Sequence, residues 1–193
     1  SSAQHTLEAY PVSNTSVPAR YGRAYAYHKD AYPDKALNEV NALIVQDPDN
    51  PYFLELKGQV LLESGRAEEA LTPLRHATQM TGNNSLIAAI FGHALIATED
   101  ASNHAEAERV LRAAVARDRE TPFAWYQLGV VYEARGDMPR AKLASAETQA
   151  MYRQYPQALQ SAQQAAAGLP EGSADWLRAQ DIAMQARAEL ERN

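Results

Sequence analysis

The segment Trp125-Tyr126-Gln127-Leu128-Gly129-Val130-Val131-Tyr132, followed nine residues on by Ala141, decides how the chain is read. A small residue, Gly129, stands among large ones at helical spacing, and a second small residue follows a turn signal, Arg135-Gly136-Asp137. The same layout recurs upstream: Gly58 goes with Leu61 and Ala70, Gly92 with Leu95, and Ala24 with Tyr27 and Ala36. The small residues are 34, 34 and 37 positions apart. Self-similarity at such a period marks stacked helical hairpins, because one hairpin cannot bury its apolar face alone. The small residue belongs where two helices touch, and the large ones fill the space around it. The three additional residues of the third copy fall in the turn near Glu99-Asp100-Ala101-Ser102-Asn103, since Ala107, Leu111 and Ala114 still align. A loop absorbs such an insertion at little entropic cost.

Helix ends support the segmentation. Asp49-Asn50-Pro51 and Glu120-Thr121-Pro122 each place a capping side chain before a proline at the first helical position. Gly65 and Gly136 fall where the first helix of a pair stops, Asn83-Asn84 caps the third copy, and Gly172-Ser173 opens the last helix. The pattern predicts helices near 19–30, 34–46, 51–64, 66–80, 85–98, 102–117, 122–135, 138–153, 156–168 and 173–191. Pro73 removes one ladder donor within 66–80 and is expected to kink that helix near Glu69. The layout resembles the tetratricopeptide repeat (TPR). That resemblance implies an all-α, right-handed superhelix of about ten antiparallel helices with a C-terminal capping helix. The copies lie near 18–50, 51–84, 85–121 and 122–154, with a degenerate one over 138–170 that shares helix 138–153. Helix 173–191, apolar at Trp176, Leu177, Ile182, Ala183, Ala186 and Leu190 and charged behind, caps an array spanning 18–193. Residues 1–17 read as an irregular leader or linker with a turn of helix around Leu7.

Composition narrows the function. With 193 residues the chain is long enough for one domain or one elongated array. Its 37 alanines, against three Phe and two Trp, favour closely packed helices. A net charge of −6 argues against nucleic acid, which needs a basic face. The longest apolar run, Leu86 to Phe91, is six residues, where a membrane span needs about twenty. The start, SSAQHTLEAY, has neither an initiator Met nor a signal-peptide pattern, so an excised or processed piece is expected. Without cysteine there are no disulfides or thiolate metal sites.

No catalytic constellation is legible. The five histidines form no HExxH, the arrangement that sets two imidazoles one helical turn apart on zinc. His104-Ala105-Glu106-Ala107-Glu108 does not place its three polar groups on one face, and reads as a solvated helix start. GxSxG elbows, phosphate loops and dinucleotide fingerprints are missing from the sequence, so no cofactor, metal or enzyme activity is expected of it.

Binding is the better expectation. In a TPR stack the first helix of each pair lines the concave side, at positions three before, one after and four after the small residue. These are Tyr21, Tyr25 and His28; Glu55, Gln59 and Leu62; Ala89, His93 and Ile96; and Tyr126, Val130 and Glu133. Tyr52, Phe123 and Glu63 lie near the same surface. The candidate groove set is therefore Tyr21, Tyr25, His28, Tyr52, Glu55, Gln59, Glu63, His93, Tyr126 and Glu133. Tyrosine offers an apolar body, a polar tip and little rotamer entropy to lose, which suits peptide capture. Tyr25 and Tyr126 could equally pack between repeats, and Tyr27 and Tyr132 fall on packing positions. Only Arg20 and Lys29 read as groove-side cations, so the Lys and Asn set that clamps a chaperone's C-terminal carboxylate is missing. An apolar, neutral or basic segment suits the groove better.

Three stretches carry a closer likeness: Tyr10-Pro11-Val12-Ser13 with Val17-Pro18-Ala19-Arg20-Tyr21-Gly22-Arg23-Ala24; Asp49-Asn50-Pro51-Tyr52-Phe53-Leu54-Glu55-Leu56-Lys57-Gly58-Gln59; and Leu169-Pro170-Glu171-Gly172-Ser173 through Trp176-Leu177-Arg178-Ala179-Gln180-Asp181. They resemble the C-terminal TPR region of BepA-like periplasmic zinc metallopeptidases, over residues 6–185. In such proteins an HExxH protease domain precedes the array, and this chain contains no such domain. The resemblance implies a periplasmic address and the recruitment half of an envelope quality-control protease. Implied partners are outer-membrane assembly machinery, unfolded envelope proteins or the protease domain of the parent. A free-standing TPR adaptor or scaffold is the alternative.

Overall fold

The computed structural model describes residues 1–192; the last residue of the expected array, Asn193, lies outside them. The described residues form eleven α-helices and no strand: α1 Ser2–Ala9, α2 Val17–Lys29, α3 Pro33–Gln46, α4 Pro51–Glu63, α5 Ala67–Met80, α6 Ser85–Ala97, α7 His104–Arg117, α8 Pro122–Ala134, α9 Met138–Met151, α10 Tyr155–Gly168 and α11 Ala174–Arg192. The expected all-α architecture is present. A single 3-10 turn, Ala101–Asn103, precedes α7. Three residues join the helices of the first, second and fourth pairs, whereas six join α6 to α7. The insertion thus sits in the turn where the sequence placed it.

These turns share a backbone device. Ala31, Gly65, Glu99 and Gly136 all hold positive φ, at 62°, 79°, 56° and 77°. Only two are glycine, so the sequence betrayed only two. Ala31 and Glu99 adopt the left-handed conformation at a steric cost of about 1 kcal/mol or more each. Capping departs from expectation once. Asn50 and Asn84 each accept two backbone N–H bonds from the first turn of their helices. Thr121 occupies the N-cap position of α8, but its hydroxyl donates to Asp118 Oδ2 at 3.0 Å and leaves the helix N–H groups alone. The helix through Pro73 runs uninterrupted from Ala67 to Met80, with the proline ring buried.

The chain divides into two compact units, Ser1–Glu99 and Asp100–Asn193. In the first, each helix packs on the next from α1 to α6, and α4 also meets α2 and α6. Its core includes Val40, Leu43, Leu74, Phe91 and Leu95. Gly58 on α4 meets the Leu74 side chain on α5 so closely that a Cβ there would overlap it. Arg23 is 1% exposed. Its Nε and Nη2 grip Glu39 on α3 at 2.8 and 3.0 Å, and Arg20 Nη1 reaches the same carboxylate at 3.3 Å. Arg23 Nη1 donates to the carbonyls of Pro11 at 3.0 Å and Asn14 at 2.8 Å. The leader is therefore no loose tail. Its helix spans two turns instead of one, and Asp30 Oδ2 accepts from Ala3 N–H at 2.8 Å. A buried guanidinium needs every donor satisfied, and the leader's carbonyls complete the set.

In the second unit α7 to α11 also pack in succession, and α9 touches α8, α10 and α11. A core cluster there is built mostly of alanine, with Ala158, Ala162, Ala165, Ala179, Ala183 and Ala186 around Leu143, Leu169 and Ile182. Short side chains let these helices approach closely, which explains the alanine excess. A Cβ on Gly129 would stand 3.4 Å from Ala144 Cβ, an ordinary contact.

Two substitutions separate these glycines in chemical unfolding. Gly58→Ala forces Leu74 off its rotamer and is expected to cost about 1–3 kcal/mol. Gly129→Ala has room and is expected to be neutral or stabilising by up to about 1 kcal/mol. Glu39→Gln leaves Arg23 buried without its counter-charge and is expected to cost about 3–5 kcal/mol. Faster hydrogen exchange at Ala3 would accompany it.

Candidate functional site

On α2 and α4 the first unit carries a strip of aromatic and polar side chains. Tyr21 and Tyr25 lie one turn apart on α2. The Tyr21 ring stands 6.0 Å from Phe53, with the planes inclined at 45°. Tyr52 and Phe53 begin α4, where Asn50 Oδ1 accepts their N–H groups at 3.0 and 3.3 Å and fixes the turn that presents both rings. Tyr25 is 53% and Tyr52 63% exposed, so neither packs between repeats. Val17, Pro18, Tyr21, Asn50, Tyr52 and Phe53 line a shallow apolar depression of about 380 Å³.

Polar groups continue the strip along α4. Gln59 Nε2 donates to Glu55 Oε1 at 3.2 Å. Burial pushes the Glu55 carboxyl above its ordinary value. The Tyr21 phenol is raised too, by burial first and then by Glu55, Tyr25 and Tyr52, which puts these four within electrostatic reach. Further along, His28 Nε2 lies 3.1 Å from Glu63 Oε2, linking α2 to α4. The structure thus brings Tyr21, Tyr25, His28, Tyr52, Glu55, Gln59 and Glu63 together. His93 is half-buried on α6, and Ala89 is fully buried, so that position offers no contact surface. Arg20 is not a groove cation: it turns to Glu39 on α3. Lys29 is exposed at the end of α2.

Tyr126 and Glu133 belong to the second unit. Tyr126 is 61% exposed. With Val130 and Glu133 it lines a cleft of about 330 Å³ between α8 and α9, opposite Lys142, Ser145 and Gln149. Phe123 is exposed at the start of α8. Tyr27 and Tyr132 are buried, as their packing positions implied. Burial, foremost, pushes the Tyr132 phenol up to about 12, with Arg112 opposing.

A third pocket has no counterpart in the sequence pattern. About 250 Å³ in volume, it lies among α7, α8, α9 and the start of α11, with Arg112, Arg119, Arg140 and Arg178 around Trp125 and Tyr132. Glu147, 2% exposed, anchors it from behind. Arg178 grips that carboxylate through Nε at 2.6 Å and Nη2 at 2.8 Å, and Arg119 Nη2 reaches it at 3.1 Å. Arg140 bonds Asp175 through Nε and Asp137 through Nη1. The four arginines come from three helices and a turn across 66 positions, with no shared periodicity to reveal them.

A family model described as tetratricopeptide repeat matches residues 21–84 and 97–152, well over half of the chain. The chain belongs to the tetratricopeptide repeat family. No curated protein matches it. Among solved structures, this TPR chain is similar to MamA from Desulfovibrio magneticus RS-1, at TM-score 0.65 and 18% identity over 91% of this chain and 94% of that one. It is also similar to PilW, a type IV pilus biogenesis factor, at TM-score 0.65 and 18% identity over 99% and 82%. A third is YrrB, a TPR protein with an unusual peptide-binding site, at TM-score 0.64 and 19% identity over 83% and 81%. These are likenesses of fold. The TPR fold is typically non-catalytic. Among the described residues no three His, Asp or Glu side chains converge as metal ligands, and no helix is long and apolar enough to cross a membrane.

The raised Glu55 carboxyl has a sign that thermal melting can check. A carboxyl whose folded pKa exceeds its unfolded one favours the native state when protonated, and that contribution is lost as pH rises through the folded value. Glu55→Gln is therefore expected to raise the melting midpoint at pH 7. The gain should vanish as pH falls below the ordinary carboxylate range.

Proposed function

We propose that this TPR chain is a non-catalytic protein-interaction module that captures a polypeptide segment on the tyrosine-bearing strip of α2 and α4. The observation that carries this reading is the exposure of Tyr25 and Tyr52 beside Tyr21, Phe53 and the half-buried Glu55. Large rings left in water at the first helices of successive pairs offer contact area at low entropic cost. The strip's carboxylates, Glu55 and Glu63, outnumber Lys29 at the end of α2, so an apolar, neutral or basic segment is favoured over an acidic one. The fold likeness to YrrB, a TPR protein with a peptide-binding site, supports the class of activity. Tyr126, Val130 and Glu133 supply a comparable surface on α8 in the other unit.

The finer reading rests on the likeness to BepA-like proteins. We infer a periplasmic module that recruits envelope substrates or outer-membrane assembly components for a zinc metallopeptidase. An HExxH motif encoded upstream of Ser1, behind a signal peptide, supports it; an adaptor gene with no protease overturns it.

The binding reading is tested on the folded chain. Tyr25→Ala and Tyr126→Ala, made separately, are compared with the parent for capture of a panel of unfolded outer-membrane proteins. Tyr25→Ala is expected to weaken capture about tenfold or more, as interface aromatics do. Unchanged capture by both variants, with unchanged melting, removes the strip from the site.

A further inference from the structure

We propose that the arginine pocket of α7, α8, α9 and α11 is a second peptide-binding site, one that takes a short acidic segment carrying an apolar residue between two carboxylates. It deepens the reading of the chain as an interaction module and inverts the charge preference of the tyrosine strip. In a chain of net charge −6, a pocket whose charged lining is four arginines and one aspartate goes against the prevailing sign. Asp175, on Arg140, is the one counter-charge in the lining; the others hold the guanidinium groups from outside it. Glu147 is buried behind Arg119 and Arg178, while Asp137 and Glu108 lie outside the lining. Donors are left over. Glu147 takes Nε and Nη2 of Arg178, leaving Nη1; Asp175 and Asp137 take Nε and Nη1 of Arg140, leaving Nη2. Arg119 uses one nitrogen on Glu147. Arg112 stands 3.7 Å from Glu108, beyond hydrogen-bonding distance, and both Arg112 and Arg119 are more than half exposed.

One carboxylate occupies one guanidinium fork. With Arg178 and Arg140 each held by carboxylates of the chain, the two exposed guanidinium groups, Arg112 and Arg119, suit two carboxylates, as an acidic segment supplies and a single chain end does not. Between them, Trp125, Leu128, Tyr132 and Leu143 give an apolar floor for the intervening side chain. Trp125 is held rigid by its Nε1 bond to the Arg119 carbonyl at 2.9 Å, and the Arg119 guanidinium lies 6.0 Å from the indole ring.

Calorimetric titration tests this on the whole chain. The probe is an acetylated, amidated Glu-Leu-Glu peptide in a Gly/Ser frame, set against its Gln-Leu-Gln counterpart, a Leu-terminated peptide with a free carboxylate, and inorganic phosphate. The Glu-Leu-Glu peptide is expected to bind at least about tenfold tighter than Gln-Leu-Gln, and to weaken with salt. Arg112→Gln with Arg119→Gln should abolish binding, and Arg112→Gln alone serves if the pair unfolds. Tyr25→Ala should leave binding intact, so failure of the tyrosine strip and failure of this pocket are distinguishable. The proposal is overturned by equal binding of the Glu and Gln peptides, or by no binding at about 1 mM. Tighter binding of the free-carboxylate peptide makes the pocket a chain-end site, and equal competition by phosphate makes it an adventitious anion site only; either outcome overturns it.

Discussion

The close approach of paired helices governs this structure, and it is clearest where Gly58 lies against Leu74. The two helices come near enough that a single methyl would collide with a fully buried leucine. That approach fixes which side of α4 faces α5, and so which side is left for Glu55 and Gln59. The later pairs reach the same end differently. Gly129 and Ala144 would meet in ordinary contact, and α9, α10 and α11 pack mostly through alanine. Small side chains at the crossings leave α2, α4 and α8 each with a face that carries exposed tyrosines or carboxylates.

Electrostatics repeats a single device in the two units. In each, a carboxylate on the second helix of a pair is held by two arginines: Glu39 by Arg20 and Arg23, and Glu147 by Arg119 and Arg178. What differs is the fate of the remaining donors. Around Glu39 the remaining Nη1 of Arg23 is consumed by the leader's carbonyls, and that arginine is sealed in the core. Around Glu147 they face a pocket. A buried pair earns little net stability against the cost of desolvating it. Its effect is to fix geometry: one pair welds a segment in place, and the other holds binding groups at a set spacing.

The sequence disclosed what depends on neighbours along the chain and hid what depends on distant ones. The repeat period, the Asn50 and Asn84 caps and the long third turn are local patterns and were legible. The packing roles of Tyr27 and Tyr132 followed from the same register. Ala31 and Glu99 were opaque because neither residue type advertises a left-handed backbone; only alignment with Gly65 and Gly136 exposes it. The leader's helix was legible only as a turn around Leu7, because its full length and the docking of the leader are stabilised from outside, by Asp30 and Arg23. Arg20 looked like a groove cation because helical spacing alone does not reveal a carboxylate waiting on α3. The arginine pocket needed four residues from separate elements, which no single-chain period encodes.

The grip of Arg23 on the leader also bears on how anything joined to the start of this chain would behave. A flexible linker lets its cargo sample a cloud of positions, so proximity becomes a matter of effective concentration. Here Ala3 is tied to the end of α2, and the carbonyls of Pro11 and Asn14 are bolted to a core arginine. Cargo attached ahead of Ser1 would be aimed by these bonds as by a bracket, its direction set by the same guanidinium that joins α2 to α3.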